Sequence, residues 1–232
     1  MLLITSGSLS AGPFDQAVEI PDKNLERAIR TELPKMEGKI TEFDLWKLRS
    51  LEATWWRIEN LSGLEYCRNI KRLELRLDIF ANIDPLDELE SLEELILSHS
   101  WLHSIDPLKD LRNLELLKLD WNRLRDIRGI SKLKNLKTLD LNVNSISKVQ
   151  PLEKLQSLEK LFLAHNQIED ISPLSKLSNL RTLEIQNNQI INITPLEGLS
   201  NITFLNLSNN LIKDISPLTN MVNLRRLNLE NN

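Results

Sequence analysis

Leu114, Leu136, Leu158, Leu180, Ile202 and Leu224 each open a segment of the form LxxLxLxxN, and successive segments begin 22 residues apart. The register extends back to Leu92, Ile70 and Leu48 without an insertion, so eight full units span 48–223 and nine residues of a ninth follow. No other feature constrains the fold as much, because one unit of this length cannot enclose its own apolar side chains and must stack on its neighbours. Composition agrees: 48 Leu and 22 Ile make 70 of the 232 residues, against one Tyr, one Cys and three His.

Numbered from its first Leu or Ile, a unit is apolar at positions 1, 4, 6, 11, 14, 17 and 20, as in Leu158, Leu161, Leu163, Ile168, Ile171, Leu174 and Leu177. Positions 4 and 6 have strand spacing with both side chains inward, while 14, 17 and 20 have the three-residue spacing of a tight helical turn. Each coil is therefore expected to be a strand, a bend and a short 3₁₀ or helical return, with all strands in one parallel sheet. Pro85, Pro107, Pro151, Pro173, Pro195 and Pro217 stand at position 16, where a fixed φ suits the start of the return. Asn122, Asn144, Asn166, Asn188, Asn210 and Asn232 stand at position 9, where an amide donates and accepts at once and can satisfy a buried bend. The first three units depart from this, with Trp56, Asp78 and Ser100 at position 9, and Gly63 and Gly129 replace proline at position 16.

These residues make the chain resemble the leucine-rich repeat proteins of the 22-residue class, which includes the bacterial internalins and the eukaryotic phosphatase regulators. The resemblance covers residues 48–232, and the preceding segment resembles an internalin-type cap. There Asp22 is placed to N-cap a helix bearing Leu25, Ala28, Ile29 and Leu33 on one face, and Thr41 with Asp44 forms a capping-box pair. The resemblance implies an α/β fold: a right-handed curved solenoid with one parallel sheet on its concave face and short returns, closed at its start by a helical cap. The expected organisation is a flexible leader over 1–19, a helical cap over 20–47 and repeats over 48–232.

Several function classes are excluded by composition and spacing. The formal charge of −4 divides into −7 over residues 1–113 and +3 over 114–232, and neither half has the basic excess of a nucleic-acid-binding domain. No run approaches the eighteen apolar residues of a membrane span. His99 and His165 share position 8 but lie three coils apart, about 14 Å at parallel-strand spacing, so they cannot ligate one metal. No HExxH, GxSxG or phosphate-loop pattern occurs. Neither an enzymatic activity nor a cofactor is expected. Cys67 fills a leucine position as a small core residue, and the N-x-S/T triplets at Asn60, Asn192, Asn201 and Asn206 are read as chance matches in an Asn-rich repeat. The run Arg123, Arg125, Arg128, Lys132, Lys134 and Lys137, interrupted by Asp126, is read first as a solvated face and second as a docking patch for an acidic partner.

What remains is the outward side of the sheet, positions 3, 5, 7 and 8, whose identities the core does not constrain. Position 8 reads Trp55, Leu77, His99, Trp121, Val143, His165, Asn187, Asn209 and Asn231: apolar and aromatic first, then amide-rich. Ile96, Lys118 and Phe162 at position 5, Arg76 and Asp120 at position 7, and Trp101 at position 10 extend the same half. Neighbouring indoles flanked by arginine have the composition of an interface hot spot. Trp55, Arg76, Leu77, Ile96, His99, Trp101, Lys118, Asp120, Trp121, Phe162 and His165 are therefore expected to bind a protein partner on the concave face. The alternatives are an intracellular scaffold or regulatory subunit of the phosphatase-regulator type, and the targeting domain of a larger enzyme. The start MLLITSGSLSAGPFD lacks the form of a secretory signal. The compartment is cytoplasmic for a complete chain and secreted or cell-surface for a fragment. The ninth unit stops at Asn232 on consensus, so either further sequence or self-association is expected at that open edge.

Overall fold

The computed structural model describes residues 16–34, 37–77, 79–80 and 82–232. Nine strands form one parallel sheet in chain order: β1 (Ser50–Thr54), β2 (Arg72–Arg76), β3 (Glu94–Ile96), β4 (Leu116–Lys118), β5 (Thr138–Asp140), β6 (Lys160–Phe162), β7 (Thr182–Glu184), β8 (Phe204–Asn206) and β9 (Arg226–Asn228). Each residue pairs with the one 22 positions on, as in Leu139 with Leu161, so the sequence period is the sheet register. The returns are 3₁₀ turns, such as Gln150–Lys154 and Ser172–Lys176, with proline in their first two positions. Positions 1, 4, 6, 11, 14, 17 and 20 converge on one continuous core that includes Cys67, whose burial, with the nearby Glu65 charge, pushes its thiol up to about 12.

The position-9 asparagines bolt coil to coil. Asn166 donates from Nδ2 to the carbonyls of Leu163 in its own coil (3.1 Å) and Leu141 in the preceding one (3.0 Å), and its Oδ1 accepts the Ile146 N–H (3.0 Å). Asn122, Asn144, Asn188, Asn210 and Asn232 repeat the pattern. The side chain of Ser100, fully buried at the same position, reaches only the Ser98 carbonyl at 3.4 Å, so among the described residues the first of these rungs is at Asn122. Asp78 lies outside the described residues.

A second amide ladder runs along the exposed flank at position 22. Asn69, Asn113, Asn135, Asn179, Asn201 and Asn223 each donate from Nδ2 to a carbonyl 23 residues earlier, at 2.8 to 3.0 Å. At position 13, Asn60, Asn82, Asp126, Asp170, Asn192 and Asp214 accept the N–H two residues on, turning the chain into its return. Asn60, Asn192 and Asn201 thus each have a place in the frame, and Asn206 accepts the Ser208 hydroxyl at 2.9 Å.

The cap contains α1 (Lys23–Glu32) and α2 (Glu42–Trp46), the second begun by the Thr41–Asp44 capping box. Asp22 caps α1 through Oδ1 and accepts the Glu59 and Asn60 N–H groups of the first bend through Oδ2, at 2.7 and 3.1 Å. Partial burial alone would raise its pKa; four backbone donors outweigh that and hold it below the ordinary value. Gln16–Glu19, read from sequence as leader, runs beside the cap: Ala17 bridges Thr41, and the Val18 N–H donates to Ile40 at 2.9 Å. Gly63 explains its own departure from proline, since its φ is +104° and a Cβ there would meet the Ile20 side chain at 2.3 Å.

Replacing Asn166 by Ala removes four buried bonds, the fourth to the Ala164 carbonyl at 3.2 Å, and should cost about 1 to 3 kcal/mol, whereas Asn135→Ala removes one exposed bond and should cost about 1 kcal/mol or less. Chemical denaturation of the two variants checks the ranking; equal losses would show that the interior rung has no special role.

Candidate functional site

All nine position-8 residues adopt left-handed backbone, with φ between 53° and 70°. Asparagine tolerates this conformation and occupies it at Asn187, Asn209 and Asn231. Coils 1 to 6 instead hold Trp55, Leu77, His99, Trp121, Val143 and His165 there, and a β-branched Val143 at φ 53° is a marked outlier. Trp55, Leu77, Trp121 and Val143 each cost on the order of 1 kcal/mol relative to an unstrained backbone, whereas histidine takes up this conformation more readily. Their side chains turn away from the core: Trp55 is 73% exposed and Trp121 53%.

The sheet gathers these residues into one surface. The His99 imidazole stacks on the Trp121 indole, with centroids 4.8 Å apart and planes 11° from parallel. Lys118, Asp140 and Phe162 follow one another in register across β4, β5 and β6, with Leu116 beside them at position 3. Asp120 accepts the Ser98 hydroxyl at 2.5 Å. Half-buried Leu77 and exposed His165 lie at the two ends, the latter with Nε2 3.3 Å from the Asn187 amide.

Three expected site residues are placed differently. Ile96 is only 3% exposed, enclosed in register between Glu74 and Lys118, and offers a partner almost nothing. Arg76 faces the buried Glu74 carboxylate at 2.5 Å, with Arg72 on the other side, so its charge is already engaged. Trp101 leaves the column: in coils 1 and 3, which lack the position-9 asparagine, position 10 is also left-handed. Its indole lies in the bend under the Arg123 guanidinium, 4.0 Å from the ring centroid. Trp56 packs against the core.

Leu116, Asp140 and Val143 join this surface although they are not among the residues expected to bind. Their signal was adjacency across strands, which appears only when positions 3, 5, 7 and 8 are laid side by side. Burial raises Asp140 to about 6; Asp120 and Glu184 add to the rise, against the Asn142 N–H and Lys118. Among the described residues no group of three His, Cys, Asp or Glu side chains is arranged to hold a metal ion, and no helix is long and apolar enough to cross a membrane.

A family model described as leucine rich repeats, two copies, matches residues 156–198 and 200–232. Among solved structures the chain is similar to internalin C2 of Listeria monocytogenes, at 32% identity over 90% of this chain and 93% of that one, with a TM-score of 0.88. It is similar to the internalin inlF of the same organism at 27% identity, over 91% of this chain and 76% of that one, with a TM-score of 0.64. It is also similar to the leucine-rich repeat ectodomain of a membrane receptor kinase from Arabidopsis thaliana, solved in complex with Casparian strip integrity factor 2. There identity is 25% over 74% of this chain and 22% of that one, with a TM-score of 0.67. No curated protein sequence matches.

A carboxylate raised in the folded state contributes stability below its unfolded pKa, and that contribution is lost as pH rises through the folded value, here from about 4 through about 6. Asp140→Asn should therefore melt above the parent at pH 7.5, with the difference closing towards pH 4. Melting curves across that range check it; a constant difference would mean that Asp140 titrates normally.

Proposed function

Because the chain belongs to the internalin family of leucine-rich repeat proteins, we propose that it is a non-enzymatic recognition module that binds a protein partner through its concave sheet. The observation that carries this reading is the position-8 column. Coils 7 to 9 use a residue the backbone favours, whereas Trp55, Leu77, Trp121 and Val143 in coils 1, 2, 4 and 5 are aromatic or apolar residues held there at some cost in strain. Strain that contributes nothing to the core is most simply explained by what it displays. The His99–Trp121 stack and the Trp55 indole lie on the same side, with Lys118 at the end of β4 and Asp120 two residues on to set orientation. A surface with rigid aromatic anchors among fixed charges suits a folded protein domain, because large two-torsion side chains lose little entropy on being covered.

The partner is sought on an array of purified extracellular protein domains, with wild type and a Trp55→Ala/His99→Ala/Trp121→Ala variant run in parallel. Wild type should retain a discrete partner, and the triple variant should bind it about 30-fold or more weakly, the equivalent of about 2 kcal/mol, while staying folded, since alanine keeps the left-handed strain and only the surface stack is lost. Full binding by a folded triple variant would remove the concave patch from consideration.

A further inference from the structure

Positions 10 to 19 of every coil form a second surface, the face of bends and returns, and its charge is divided sharply in two. In coils 2 and 3 it carries Asp84, Asp87, Glu88, Asp106 and Asp110 against Lys109, a net of four negative charges. In coils 4 and 5 it carries Arg123, Arg125, Arg128, Lys132, Lys148 and Lys154 against two acids, a net of four positive charges. Along the border the charges meet within the chain, as where Lys132 Nζ lies 3.0 Å from Asp110. Farther out, Asp84 and Asp87 on one side and Arg125 and Lys148 on the other have no ion-pair partner among the described residues. The patch centres are two coils apart, about 10 Å at strand spacing, which exceeds the ~8 Å Debye length at physiological salt, so they do little to neutralise each other.

Both halves are also grooved. The acidic one has Phe80 and Leu102 in its walls and is edged by Ile79 and Trp101, which are 55% and 51% exposed. The basic one lies beside Pro151, with Arg125 and Lys148 along its wall. The acidic groove therefore presents apolar side chains, and the basic groove presents the aliphatic stems and cations that cover such side chains well.

We infer that this face pairs with the same face of a second copy of the chain, about a two-fold axis passing between coils 3 and 4. That operation sets each acidic groove on the partner's basic groove twice over, as an isologous contact requires, while the parallel arrangement would oppose like charges. It covers Trp101 and Ile79, which the concave reading leaves without a use. It goes beyond that reading and does not depend on it, since both concave sheets stay free and the dimer would present two of them.

Sedimentation velocity of the full chain over a concentration series tests this at about 50 mM and about 500 mM salt. Wild type should form dimers at low salt that weaken at least tenfold at high salt. The variants Asp84→Lys/Asp87→Lys and Arg125→Glu/Lys148→Glu, each of which brings its patch to a net charge of about zero, should remain monomeric, while their equimolar mixture should pair, because the intact basic patch of the first then meets the intact acidic patch of the second. Wild type that stays monomeric throughout, or folded variants whose mixture fails to pair, would overturn the inference. So would a dimer indifferent to salt and to both pairs of substitutions, whose contact must lie elsewhere.

Discussion

The amide at position 9 is the interaction on which the solenoid depends. A coil that bends away from its strand inside an apolar stack leaves two carbonyls and an N–H where water cannot reach, and a buried unpaired polar group costs about 1 to 3 kcal/mol. One asparagine side chain satisfies all three and takes two of them from the neighbouring coil, so it joins units as well as completing its own. The leucines make stacking favourable without fixing its direction. From Asn122 onward the rung ties the bend of one coil to the next, whereas the strand register is already the same across β1, β2 and β3, where the asparagine is missing. Where the rung is absent, the bend changes: Trp101 turns left-handed behind Ser100, as Arg57 does behind Trp56, and the cap holds the first coil through Asp22 and Gly63 instead.

Frame and display are therefore separable. Inward positions, the two amide ladders and the position-13 turns account for coil shape, and none of them is on the outer face of the sheet. That face is free to hold residues the backbone would not choose. The position-8 column does so at Trp55, Leu77, Trp121 and Val143, and Asp140 is held there as a carboxylate shifted towards neutrality. Such features cost stability, and a stack that gains burial with every added coil can offset them.

The legible parts of the sequence were those that repeat. The 22-residue period foretold the strand register, the 3₁₀ returns at proline and the interior asparagines, while Asp22, Thr41 and Asp44 marked the cap helices by capping chemistry alone. The position-22 amides went unread because asparagine is common throughout the repeat and the exposed ladder has no apolar neighbour to mark it. Left-handed backbone at position 8 is concealed by side chains as different as Trp121 and Val143, with only Asn187, Asn209 and Asn231 to hint at it. Ile96 reads as a surface residue by alternation and is buried by what stands beside it, which depends on the packing of three strands together.

Native-state hydrogen exchange, read residue by residue, tests the central role of the position-9 rung most directly. The Leu124, Ile146, Ile168 and Ile190 amides, each bonded to an asparagine of the next coil, should be among the slowest in the chain and open only with the whole stack. Exchange of these amides as fast as that of the exposed bend at Glu169 and Asp170 would mean that the coils separate locally and that the rungs do not hold them.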